Sequence, residues 1–212
     1  MRKTTIDRVF KLLSKIYPRP QTELKYINSY TFLISVVLSA QSTDISVNKA
    51  TKELFKVVKK PQTMIKLGEE NLKKYIKKIG LYNSKARNII KLSKVLVNKY
   101  NSKIPKNFSE LISLPGVGNK TASVYQNVIL KKPRIAVDTH VFRLANRIGL
   151  TKTATADLTQ FKLEKIVPIK WLMEAHHLLI LHGRRICKAQ KPLCNLCSIQ
   201  QFCQYNKNKF KP

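Results

Sequence analysis

LPGVGNKTASV, residues 114–124, sets two glycines within three residues and then a lysine, where a turn gives way to helical patterning. With no Cβ, Gly116 and Gly118 can take backbone angles closed to other residues and let the main chain approach another group closely. Their N–H groups, and those opening the following helix, lie at the positive end of its dipole, an arrangement that receives a phosphate. Such contacts fix position, not sequence. An ordinary lysine, with a pKa near ~10.4, is protonated at neutral pH and is no nucleophile. A helix start among other cations disfavours an ammonium, and that is the setting of Lys120.

On either side of this stretch, apolar residues recur at helical spacing. One set is Ile6, Val9, Phe10, Leu13 and Ile16; a second is Ile89, Leu92, Val95 and Leu96; a third is Trp171, Leu172, Leu178, Leu179 and Ile180. Convincing two-residue alternation is absent, so the expected fold class is all-α. YTFLISVVLSA, residues 30–40, is rich in β-branched residues, but no partner strands accompany it, and it reads as a core helix. Helix starts are expected at Ser42 or Thr43, at Asn83 and at Asp157. The 212 residues allow one domain or two small ones. No Gly/Ser-rich linker separates the halves, so any division into two comes from topology.

Lys and Arg total 41 against 11 Asp and Glu, a formal charge of +30. That surplus points to a polyanionic partner, nucleic acid before an anionic membrane. A compositional bias toward Lys, Ile and Asn accounts for part of the lysine but not for the scarcity of acids. The longest apolar run, Thr31–Ala40, is about half the ~20 residues needed to cross a bilayer, and no signal-peptide series opens the sequence. The expectation is a soluble intracellular protein with no membrane partner.

Cys187, Cys194, Cys197 and Cys203 fall within 17 residues, spaced C-x6-C-x2-C-x5-C. Two disulfides suit a small secreted domain, which this chain is not. Zinc ribbons usually offer two C-x2-C knuckles, and one is present. Four thiolates wrapped closely around one point also suit an iron-sulfur cluster. Spacing leaves cluster and zinc both open.

Taken together, SLPGVGNKTA, AVDTHVFR (residues 136–143), LSAQSTD (38–44), GLYNSKA (80–86) and the cysteine array resemble the endonuclease III family, bifunctional DNA glycosylases of the helix-hairpin-helix superfamily. The resemblance runs over nearly the whole chain. It implies a six-helix barrel domain over residues 22–132, which contains the helix-hairpin-helix, and a helical domain from residues 1–21 and 133–212, with a DNA-binding cleft between them. It also tips the four cysteines toward a 4Fe-4S cluster.

By the same resemblance, Lys120 attacks the sugar C1′ and Asp138 is the catalytic carboxylate. Asp138, between an apolar segment and HVFRLANRI, also suits a helix N-cap, and the two roles are compatible. Gln41 and Leu81 take the space left when a nucleotide is extruded. Lys188 and Lys191 reach the DNA backbone. Asn119 departs from the pattern, because the family often places Arg or Lys there. The implied activity is removal of oxidised pyrimidines from damaged double-stranded DNA with AP-lyase cleavage, by a monomer in the bacterial cytoplasm, associated with the nucleoid. Adenine-mismatch glycosylases lack the lysine, and 8-oxoguanine glycosylases usually lack the cysteine array. A non-catalytic hairpin-and-metal DNA-binding module is the alternative of a different class.

If phosphate contacts dominate, affinity for undamaged duplex falls steeply with salt. The log-log slope is about −0.9 per phosphate neutralised. Titrations across a salt series measure it, and a slope near zero removes nucleic acid as the partner.

Overall fold

A computed structural model describes residues 1–18 and 20–209. In chain order the helices are α1 (Lys3–Ile16), α2 (Ser29–Ser39), α3 (Asp44–Val57), α4 (Pro61–Leu67), α5 (Glu69–Ile76), α6 (Tyr82–Tyr100) and α7 (Phe108–Ile112). There follow α8 (Asn119–Val128), α9 (Thr139–Ile148), α10 (Ala156–Ile166), α11 (Ile169–Arg185) and α12 (Gln204–Lys209). Two short 3-10 turns, Cys194–Leu196 and Gln200–Phe202, precede α12. No strand occurs among the described residues, so the fold is all-α as expected. None of these helices is long and apolar enough to cross a membrane.

The chain divides into two compact units, Glu23–Leu130 and the described residues on either side of it. In the first unit α2 is buried on every side: Tyr30, Phe32, Leu33, Ile34, Val36, Val37 and Leu38 all lie in the core. A helix apolar all round has to sit inside, and α2 packs against α3, α6 and α8. Its polar groups are paired. The Tyr30 hydroxyl lies 2.7 Å from Ser93 Oγ, which donates to Ile89 O at 2.7 Å. Burial pushes the Tyr30 phenol well above its usual pKa. Asn28 caps the helix in a reciprocal box with Thr31.

Where the resemblance implies six helices over this span, seven segments are present. Gly68, at φ +79°, ends α4 and opens α5. Thr43 caps α3, as its sequence suggests. Two other starts differ from expectation. α6 opens at Tyr82 rather than after Asn83, because Leu81 itself takes the left-handed conformation that turns the chain into the helix. α10 is capped by Thr155, whose side chain accepts from Leu158 N, and Asp157 lies in the first turn, where a carboxylate complements the dipole.

In the flanking unit, Ile6, Val9, Phe10 and Leu13 of α1 are fully buried in a core shared with Ile135, Val141, Leu144, Leu178 and Leu179. Ile16 completes the spacing of that stripe but is 47% exposed, at the last residue of α1. Phe10 stacks on Trp171, with ring centroids 6.3 Å apart. Trp171 Nε1 donates to Asp7 Oδ1 at 2.7 Å. The N-terminal helix is thereby fastened to α11, on which α9 also packs.

Candidate active site and cysteine-lined pocket

The hairpin joins α7 to α8. Ser113 N donates to Ser109 O and Val117 N to Leu114 O, closing a tight turn. Gly116 sits at φ +79°, and a Cβ there would come within 3.0 Å of Asn88 Cβ, so both conformation and packing against α6 require glycine. Gly118 is a correction to the sequence reading. It caps α8 at φ −96°, ψ 179°, extended backbone that any residue adopts, and a Cβ on it would meet nothing within 4 Å. The protein itself places no demand for glycine there, and bareness toward something outside the chain is what a glycine provides. Asn119 and Lys120 are the first two residues of α8, and both are exposed. The first N–H of the helix bonded to a carbonyl four residues back is Ala122 N, to Gly118 O at 3.0 Å.

In the same unit, Gln41 and Leu81 are both exposed and both left-handed, at φ 53° and 57°. Left-handed backbone is uncommon outside glycine, strained for a bulky residue such as leucine, and tends to mark functional positions. Lys85, unremarked in the sequence, is buried one turn into α6 and donates to the Gln41 loop.

Asp138 caps α9, its Oδ1 accepting from His140 N at 2.9 Å and from Val141 N at 2.8 Å. The N-cap expectation holds, and the carboxylate is fixed at the mouth of the helix. His140 is partly buried and its pKa is lowered, chiefly by burial, with Arg143 and Arg184 acting the same way against Asp138. Its Nδ1 lies 3.2 Å from Arg143 Nη2, where a neutral imidazole accepts.

None of the four cysteines forms a disulfide, and all of them line one pocket whose wall includes Ile148, His182, Leu193 and Ile199. Among the described residues no group of three or more His, Cys, Asp or Glu side chains converges as a single metal ion requires. Burial pushes the Cys197 thiol up to about 11 and raises Cys203 as well. Around the pocket stand donors that the sequence reading missed. His182, pushed down to about 4 by burial, is neutral; its Nδ1 lies 3.3 Å from the Tyr17 hydroxyl and its Nε2 3.4 Å from Cys197 Sγ. Which partner donates depends on the tautomer: with the hydroxyl donating to Nδ1 the ring proton faces the sulfur, and with Nδ1 donating the Cys197 thiol donates to Nε2.

Arg147 approaches Cys187 Sγ at 3.7 Å and donates to Lys188 O at 2.7 Å and Ala189 O at 2.8 Å. Arg143 donates to Cys187 O and Gly183 O. The only sequence signal was two arginines four apart on one helix. Lys188 and Lys191 are exposed, on the loop these arginines hold.

The all-α fold and the glycine hairpin define a helix-hairpin-helix protein, and the family model described as HhH-GPD superfamily base excision DNA repair protein matches residues 34–169. Endonuclease III of Rickettsia prowazekii (strain Madrid E) is 54% identical over 210 residues, 99% of each chain. Endonuclease III of Escherichia coli (strain K12) is 48% identical over 188 residues, 89% of each. Among solved structures, a trapped endonuclease III–DNA covalent intermediate is similar with a TM-score of 0.94 at 40% identity, over 100% of both chains. The chain belongs to the endonuclease III family. It is a DNA glycosylase of base excision repair.

Gly116→Ala is expected to lower unfolding free energy by ~1–3 kcal/mol, since alanine is strained at that φ and crowds Asn88. Gly118→Ala is expected to stay within ~0.5 kcal/mol of the parent. Urea denaturation of the two variants checks the contrast.

Proposed function

We propose that the protein removes oxidised pyrimidines from damaged double-stranded DNA and then cleaves the strand by β-elimination, with Lys120 as the nucleophile. The observation that carries this reading is an exposed lysine in the first turn of α8, immediately after the glycine hairpin. The likeness to a trapped endonuclease III–DNA covalent intermediate supports a covalent step. The lone pair of the Lys120 amine attacks the sugar C1′, the C1′–N bond breaks, and the base leaves with the electron pair and takes up a proton. The amine loses its protons as the ring opens to a Schiff base. Loss of a C2′ proton then expels the 3′ phosphate. Asp138, held by two N–H donors, balances positive charge that develops on the sugar. Gly116, Gly118 and the opening of α8 receive a phosphate, Gln41 and Leu81 fill the vacated space, and Lys188 and Lys191 contact the backbone. The protein works as a monomer in the bacterial cytoplasm.

Cys187, Cys194, Cys197 and Cys203 hold a 4Fe-4S cluster in this reading. The donor set fits that group: four cysteines that line one pocket are the ligands that would hold it. Arg147 offers an N–H to Cys187 Sγ, and His182 in its Nε2–H tautomer offers one to Cys197 Sγ, which favours an anionic centre. When bound, the cluster supplies a cross-link through a segment with little core of its own.

Lys120→Gln is expected to lose both strand cleavage and borohydride trapping on thymine-glycol duplex while retaining DNA binding, because an amide nitrogen is not nucleophilic. Trapping at the parental level moves the nucleophile elsewhere. For the cysteines, iron and sulfide analysis is expected to give a cluster that Cys194→Ser loses together with order in the C-terminal segment; stoichiometric zinc without iron overturns the assignment.

A further inference from the structure

One buried side chain joins the two loops assigned to the vacated space. Lys85 is 6% exposed, and its Nζ donates to Leu38 O at 2.9 Å, Ala40 O at 2.5 Å and Ser42 Oγ at 3.1 Å. An ammonium has three donors, and all three are matched. Leu38 and Ala40 lie at the C-terminal end of α2, where helix carbonyls lack internal partners and the dipole is negative. α2 has no basic residue in its own last turn, so the cation that caps it comes from α6. The desolvation that such burial imposes on the ammonium lowers its pKa.

The main chain of the same residue grips the other loop. Lys85 N donates to Leu81 O at 3.0 Å, the first hydrogen bond of α6. The carbonyl of Ala40 belongs to the peptide that ends in Gln41 N. Lys85 therefore holds the peptide plane before Gln41 and the one after Leu81, next to the two left-handed residues. Such conformations persist where the surroundings over-determine them. The loops also run close together, since a Cβ on Gly80 would come within 3.3 Å of Gln41 O.

We propose that Lys85 is a positioning residue for base extrusion, locking the Gln41 and Leu81 loops into one rigid two-pronged insert. This rests on the roles given to Gln41 and Leu81 under Proposed function. A lysine that served stability alone has no reason to act through these two residues in particular.

The test uses the full chain and single-turnover excision from duplexes with thymine glycol in a stable pair or opposite a mismatch, and cleavage at an abasic site. A 2-aminopurine beside the lesion reports extrusion. Lys85→Met is expected to slow excision from the stable pair by ~10-fold or more, as misplacement of positioning groups does, and to delay the fluorescence change. Losses at the mismatch and the abasic site are smaller. Adding Leu81→Ala to Lys85→Met costs little further, and Lys85→Arg, which keeps the donors, recovers part of the rate. Equal losses on all three substrates, or losses that add with Leu81→Ala, overturn the proposal. If Lys85→Met does not fold, Ser42→Ala removes one acceptor and is expected to give a smaller loss with the same substrate order; a loss without that order overturns it. Failure of the underlying reading looks different: Gln41→Ala and Leu81→Ala then leave the fluorescence change intact, and the proposal falls with it. Sensitivity of those two variants beside an insensitive Lys85→Met overturns the proposal alone.

Discussion

A helix with no polar face has only one place to go, and α2 is that helix. Each Leu, Ile, Val or Phe fully buried along it contributes about 1.5–3 kcal/mol, and Phe32, Leu33, Ile34 and Leu38 are buried completely. Burial creates a debt at each end, because unpaired N–H and C=O groups in an interior are costly. Asn28 and Thr31 resolve the first end from within the helix. The second is resolved from outside by Lys85. The cation required by a core helix is thus set beside Gln41 and Leu81, both exposed and left-handed.

The flanking unit uses one helix to the same effect. Val141, Leu144, Ala145 and Ile148 bury one side of α9. Asp138 is fixed at its first turn by backbone donors. Arg143 and Arg147, farther along, hold the carbonyls of the loop that carries Cys187 and Lys188. The carboxylate and the cysteine loop are therefore referred to a single rigid element, and a substitution that tilts α9 disturbs both.

The elements legible in the sequence were those fixed by local chemistry. The apolar run at residues 30–40 had to be a core helix, the Gly-Val-Gly turn had to break α7 from α8, and Thr43 and Asp138 were caps by residue type. What escaped depended on partners distant in sequence. One lysine among so many cations reads as solvated, and only the carbonyls of α2, more than forty residues away, make Lys85 a buried one. Leu81 was legible as an exposed loop residue by resemblance but not as left-handed, since leucine has no propensity for that region. Gly118 was misread for the converse reason: a glycine beside a turn suggests an unusual angle, yet its backbone is ordinary.

Charge and site divide the work. Five of the eleven acids are engaged in ion pairs: Asp7 with Lys170, beside Trp171, Glu53 with Lys56, Glu69 and Glu70 with Lys73, and Glu164 with Arg134. Hydrogen bonds from those lysines hold the carboxyls of Asp7, Glu53 and Glu69 below their usual range. Exposed pairs of this kind add little stability and are weakened by salt. They neutralise only a few of the 41 basic residues, so the positive surplus is left to act on a polyanion. Such a field raises the rate and strength of encounter without selecting a position. Selection has to come from groups whose geometry is fixed before DNA arrives, and the groups we propose for it are held in that way: the Gly116 turn, the capped Asp138, and the paired loops at Gln41 and Leu81.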